Sequence, residues 1–155
     1  MNIQERIEAL ETEFNEKIKA LKAEVQREKE FPQDGDEYWF ITDRGMVFDS
    51  KFENKKSDRD SMEIGNIFRD REQAYFALEK LKVEAELRKF SRPFECGAFN
   101  CCISLDTDED CFYVDSSRYF QSQGTIHFES KVKAQQAIEL VGEDRIKKYI
   151  FGVED

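Results

Sequence analysis

The sequence predicts an α+β protein: an N-terminal amphipathic or coiled-coil helix over residues 1–31, followed by two repeated ββ(β)α units over 32–90 and 91–155. Three observations lead there. Apolar residues near the amino terminus recur at helical spacing, short alternating strand patterns are twice followed by a capped helical stretch, and the two helical stretches align with each other.

The first element is a single apolar stripe made of Ile3, Ile7, Leu10, Phe14, Ile18, Leu21 and Val25, with steps of 4, 3, 4, 4, 3 and 4. The steps average about 3.67 residues, closer to an eleven-residue repeat than to a heptad, so a long left-handed supercoil is not implied. The remaining positions are polar. A helix of this kind draws most of its stability from packing, so the stripe is expected to dock on its own domain or on another chain. Its polar face is not basic, which argues against a membrane-surface or calmodulin-type helix.

Phe31-Pro32-Gln33-Asp34-Gly35-Asp36 reads as a linker. Beyond it, Tyr38-Trp39-Phe40-Ile41 and Met46-Val47-Phe48, joined through Asp43-Arg44-Gly45, read as a hairpin. Residues 50–60 read as a polar loop, and Glu63-Ile64-Gly65-Asn66-Ile67-Phe68 as a third strand. A helix then runs to about Phe90, with Asp70 as its cap and Gln73 three residues on, in capping-box spacing.

After Ser91-Arg92-Pro93 the order recurs. Phe99–Leu105 and Cys111–Val114 flank the acidic turn Asp106-Thr107-Asp108-Glu109-Asp110, Gly124–Phe128 gives a third strand, and Ser130 caps a helix to about Val141. At an offset of 60, Phe68, Ala74, Ala77 and Glu79 fall on Phe128, Ala134, Ala137 and Glu139. Four identities in fourteen positions exceed the about one expected from ordinary residue usage.

The faces of the first of these two helices carry the main expectation about interactions. Ala74, Ala77, Leu78, Leu81 and Ala85 fall within one third of its circumference and are expected to pack on the sheet. Phe76, Val83, Leu87 and Phe90 lie nearly opposite. The candidate self-association or partner-binding residues are therefore these four together with Ile3, Ile7, Leu10, Phe14, Ile18 and Leu21 of the N-terminal stripe. What covers the second face is left open between the N-terminal helix, the second unit and another subunit.

Composition narrows the function classes. With 24 Lys+Arg against 34 Asp+Glu the net charge is −10, spread over all three segments, so a broad basic surface for duplex nucleic acid is not expected. Acidic mimicry of nucleic acid would rest on that charge alone. No apolar run approaches a membrane span, the amino terminus does not read as a signal peptide, and a cytoplasmic location is expected. The four cysteines, Cys96, Cys101, Cys102 and Cys111, lack zinc-site spacing and read as reduced thiols. His127 reads as a strand histidine. Asp106-x-Asp108-x-Asp110 opens like a calcium loop, but Cys111 stands at its sixth position and Ser117 at its twelfth, so it reads as a hairpin turn. No phosphate loop, H-E-x-x-H or G-x-S-x-G occurs, and no cofactor, metal or catalytic activity is expected.

The run from Met62 to Phe90, with its Gly65-Asn66-Ile67-Phe68 start, and the run Thr125–Phe128 to Val141-Gly142-Glu143-Asp144-Arg145-Ile146-Lys147-Lys148-Tyr149-Ile150-Phe151-Gly152-Val153 resemble a family of small proteins of phages and prophages of Gram-positive bacteria. That family carries a variable N-terminal coil, a strand-to-helix unit and a closing segment of this type. The resemblance implies a phage or prophage context and the cytoplasm of a bacterial host cell, and it brings no functional residue with it. Two functions are then in view. One is a non-enzymatic accessory protein that binds a host or anti-phage defence protein as a homo-oligomer. The other is a module that sequesters a small ligand or nucleotide, with Tyr38, Trp39, Tyr113 and Tyr119 as aromatics able to stack on a base.

Overall fold

The computed structural model describes residues 2–154, with the side chains of residues 27–29 also outside the description. The chain is α+β, and it forms two compact units, Met1–Ala74 and Tyr75–Asp155. The division lies inside a helix, upstream of the expected boundary at residue 90.

The first unit opens with α1, Ile3–Lys29, whose start is fixed by a capping box. Asn2 Oδ1 accepts from the Glu5 backbone N–H at 2.8 Å, and the Glu5 carboxylate accepts from the Asn2 N–H at 2.8 Å. The expected linker is ordered against the hairpin that follows: the Gly35 N–H donates to the Phe52 carbonyl and the Phe52 N–H to the Asp36 carbonyl, both at 2.8 Å. Strands β1, Glu37–Ile41, and β2, Val47–Lys51, pair antiparallel with Phe40 opposite Phe48. Gly45 takes the positive φ of 70° that their turn requires.

Two expectations fail after β2. Helix α2, Lys56–Glu63, begins inside the stretch read as a polar loop and takes up residues 56–60 of it. Its buried residue is Asp58, a carboxylate, so no apolar period announces it. The expected third strand over 63–68 shrinks to one bridge: the Trp39 N–H donates to the Phe68 carbonyl at 2.8 Å and the Phe68 N–H to the Trp39 carbonyl at 2.9 Å. The Asn66 side chain stands in for the missing strand residues. Its Oδ1 accepts from the Ile41 N–H at 2.8 Å, and its Nδ2 donates to the Ile41 carbonyl at 2.7 Å. Tyr38, Phe52 and Ala74 are the buried apolar residues of this unit.

Helix α3, Arg71–Arg88, starts as expected, with Asp70 Oδ1 accepting from the Gln73 N–H at 2.8 Å. The second unit then has strands β3, Asn100–Asp106, and β4, Cys111–Ser117, in antiparallel register. Asp106 Oδ1 accepts from the Asp108 and Glu109 N–H groups at 3.0 and 3.1 Å, which uses the acidic loop's first carboxylate to shape the turn. The expected third strand is again shorter than the pattern suggested, with bridges Arg92 to His127 and Cys101 to Phe128. Ser130 caps α4, Lys131–Val141, by accepting from the Lys133 N–H at 3.2 Å. Helix α5, Glu143–Tyr149, follows Gly142 directly and was not expected.

The core of the second unit gathers Val83, Leu87, Cys101, Phe128, Ala134, Ala137, Ile138, Val141 and Ile146, with Phe90 packed against it. Four of these, Ala134, Ala137, Ile138 and Val141, form one face of α4.

Candidate functional site

One face of α1 exposes a row of apolar side chains. Ile3, Leu10 and Phe14 are 76%, 64% and 64% exposed, Ile7, Leu21 and Val25 are also exposed, and Ile18 is half-buried. Among the described residues, no other helix or strand makes an extensive contact with α1. At 1.5 Å per residue the helix extends about 40 Å, so seven apolar side chains form a long, narrow strip. The Glu13 carboxylate and Lys17 ammonium beside it are 2.6 Å apart, in a solvent-exposed (i, i+4) pair.

The second predicted set has a different fate. Val83 and Leu87 are fully buried among the residues of the second unit's own core, and Phe90 packs on that core. Phe76 lies beside Tyr149, ring centroids 5.1 Å apart. Val83 and Leu87 are therefore closed to a partner, whereas Phe76 remains 40% exposed. The reason is α5, which supplies Ile146 and Tyr149 to this side of α3 and is held there by Arg145, whose guanidinium donates to both carboxylate oxygens of Glu86 at 2.9 Å. That contact holds the Glu86 carboxyl below its ordinary range. The face expected to lie on a sheet is covered only in part: Ala74 and Leu78 are buried, Ala77 is half-buried, and Leu81 and Ala85 are exposed.

Of the depressions of the second unit, two gather apolar core or cationic side chains. One, of about 170 Å³, is apolar and lies among Leu87, Ile103, Ile126, Phe128, Ile146 and Ile150, with Glu84 at its rim. The other is a groove of about 350 Å³ that brings Arg88, Arg92, Phe94, Gln121 and His127 together. Arg92 is anchored in it by backbone and amide oxygens. Its Nη1 donates to Asn100 Oδ1 at 2.9 Å and to the Pro93 carbonyl at 3.0 Å. The buried Asn100 amide also holds this turn together, because its Nδ2 lies 2.9–3.1 Å from the carbonyls of Glu95, Ala98 and Ser117.

His127 is buried, with its ring edge-on to Phe94 at 5.3 Å between centroids. Burial first, and the Arg92 charge second, push its imidazole below the ordinary histidine range, which favours the neutral ring. The sequence gave no hint of this groove. Its only available signal was Arg88 and Arg92 lying four residues apart in an acidic chain.

The cysteines do not converge. Cys101 is buried in the core, its neighbour Cys102 is half-buried with its thiol pushed up by burial, and Cys96 and Cys111 are exposed. Among the described residues no three His, Cys, Asp or Glu side chains are grouped to hold a metal ion. No helix among them is long and apolar enough to cross a membrane. Of the aromatics proposed to stack on bases, Tyr38 is buried and bonded to Asp58, Trp39 is half-buried with the Arg71 guanidinium 5.9 Å from its ring, and Tyr113 and Tyr119 are exposed. Compared with known proteins, the chain matches no family model, no curated protein and no solved structure.

Proposed function

We propose that the chain is a non-enzymatic accessory protein of a phage or prophage, which acts in the bacterial cytoplasm by binding, and inhibits a host or anti-phage defence protein as an oligomer held by α1. The observation that carries this reading is the α1 strip, six of whose seven apolar side chains are exposed and which, among the described residues, has no extensive contact with another helix or strand. A duplicated architecture fits the same reading. Each antiparallel hairpin is bridged by one phenylalanine, and a helix starts three residues after it, at Phe68 and Arg71 and again at Phe128 and Lys131.

The test is expression of the tagged full chain in a Gram-positive host that carries anti-phage systems. The expected result is restored plaquing against one defence system, with a component of that system co-purifying in fixed ratio, and loss of both effects on Phe14→Lys. Unchanged plaquing against every system, with no retained partner, would remove the proposal.

The Arg88, Arg92, Phe94 and His127 groove favours a second reading, the small-ligand or nucleotide module, because it sets two cations and an aromatic ring at one depression of an acidic chain. Calorimetry against a nucleotide panel separates the two. Binding that is lost on Arg88→Ala supports the module, and absence of binding leaves the first reading.

A further inference from the structure

We infer that the occupant of the α1 strip is a second copy of α1, running antiparallel, with the two-fold axis passing between the two Phe14 side chains. The inference rests on the oligomer proposed above and names its geometry. Three features of α1 carry it.

The spacing of the strip is a palindrome. Its steps read 4, 3, 4 from Ile3 to Phe14 and 4, 3, 4 again from Phe14 to Val25. Reversing the helix about Phe14 therefore sets Ile3 against Val25, Ile7 against Leu21, Leu10 against Ile18 and Phe14 against itself. A two-fold interface needs this self-complementarity, and a foreign partner does not. The near-3.6 average step keeps the strip almost straight along the helix, which suits a pair of uncoiled helices side by side.

The charges are divided by the same centre. Residues 2–16 hold five Glu and one Arg, net −4, while residues 17–26 hold three Lys and one Glu, net +2. An antiparallel pair places the acidic half of each helix along the basic half of the other.

The flanks agree residue by residue. At 100° per residue, Glu8, Glu11, Lys19 and Lys22 lie on one side of the strip, and Arg6, Glu13, Lys17 and Glu24 on the other. In the antiparallel pair each side meets itself. Glu8 and Glu11 come level with Lys19 and Lys22 of the second copy, Arg6 with Glu24, and Glu13 with Lys17. In a parallel, in-register pair the two sides would cross, setting Glu11 beside Glu13 and Lys19 beside Lys17, like against like, so that only Glu8 beside Arg6 and Lys22 beside Glu24 would still oppose unlike charges.

The full chain is examined by sedimentation equilibrium at low salt, as wild type, as Glu8→Lys/Glu11→Lys, as Lys19→Glu/Lys22→Glu, as the equimolar mixture of these two, and as Phe14→Lys. The expected result is a wild-type dimer and self-association weakened about 50-fold or more in each double variant. The mixture should regain a dimer of near wild-type affinity, since each charge-reversed half then faces its opposite. Phe14→Lys should be monomeric with its helix content retained by circular dichroism.

A wild-type chain that is monomeric at every concentration would overturn both this inference and the oligomer it rests on. A Phe14→Lys chain that still dimerises would overturn this inference alone and move the interface elsewhere. Tighter association of Glu8→Lys/Glu11→Lys, or a mixture that does not recover, would equally overturn the antiparallel arrangement.

Discussion

The Tyr38 hydroxyl donates a 2.8 Å hydrogen bond to Oδ1 of the buried Asp58, joining strand β1 to helix α2 across twenty residues of sequence. The other oxygen, Oδ2, accepts from the Glu53 and Lys55 N–H groups at 3.0 Å each, so one carboxylate closes the loop ahead of α2 and seats the helix. Those backbone bonds, with the Tyr38 bond next, hold the Asp58 carboxyl below its ordinary value of 3.8, while burial, followed by the Asp58 bond, raises the Tyr38 phenol above 10.0.

The first unit should therefore lose stability at both ends of the pH scale. The Asp58 contribution is fully present above about pH 3.8 and lost as pH falls through its lower folded value; the Tyr38 contribution is present below about pH 10 and lost above it. Urea unfolding followed by the fluorescence of Trp39, the chain's one tryptophan, reads this unit. Asp58→Asn is expected to flatten the acid limb, and Tyr38→Phe to cost about 1 kcal/mol at neutral pH.

Asn66 substitutes a side-chain amide for a strand's peptide group. Removing it with Asn66→Ala orphans the Ile41 N–H and carbonyl and should cost about 2 kcal/mol. Asn66→Asp should be no better, since a carboxylate oxygen would then face the Ile41 carbonyl. Hydrogen exchange checks the local effect: the Ile41 amide should lose protection before the amides of α3 do.

Leu87 distinguishes core from interface. With that side chain buried in the second unit, Leu87→Ala should cost about 2–5 kcal/mol in thermal unfolding and leave the solution mass unchanged. A change of mass at wild-type stability would return Leu87 to the set of interface residues.

Gly142 joins α4 to α5 at φ 99° and ψ 131°, a conformation that L side chains rarely adopt. Nothing lies within 4 Å of the position a Cβ would take, so the cost of Gly142→Ala is conformational and not steric. A loss of about 1–3 kcal/mol is expected in the same thermal assay, together with greater exchange at the Ile146 amide, which bonds to the Gly142 carbonyl.

What the sequence made legible follows from which forces leave a periodic trace. Helix α1 was readable from its apolar spacing, and α3 and α4 because apolar spacing follows a polar cap, Asp70 and Ser130; the Asn2 cap of α1 was not read. Helix α2 was not, since the group that seats it is the carboxylate of Asp58, and α5 was not, since its one buried residue, Ile146, makes no period. The strand patterns before Phe68 and Phe128 were over-read because β-favouring residues there fill single bridges and loops. The α1 part of the candidate site was visible as a stripe. Of the α3 part, Val83 and Leu87 lie in the core to which α5 contributes Ile146, a helix that left no trace in the sequence pattern, while Phe76 stays exposed.

The bridging phenylalanines set where the chain can vary in length. Each stands three residues ahead of a helix, Phe68 before Arg71 and Phe128 before Lys131, while the connections leading into them differ: residues 52–67 include a helix, whereas 118–127 contain none. The two connections of this chain thus differ upstream of each bridge. The short stretch from bridge to helix keeps its length, because one added residue there would turn the buried face of the helix by about 100°.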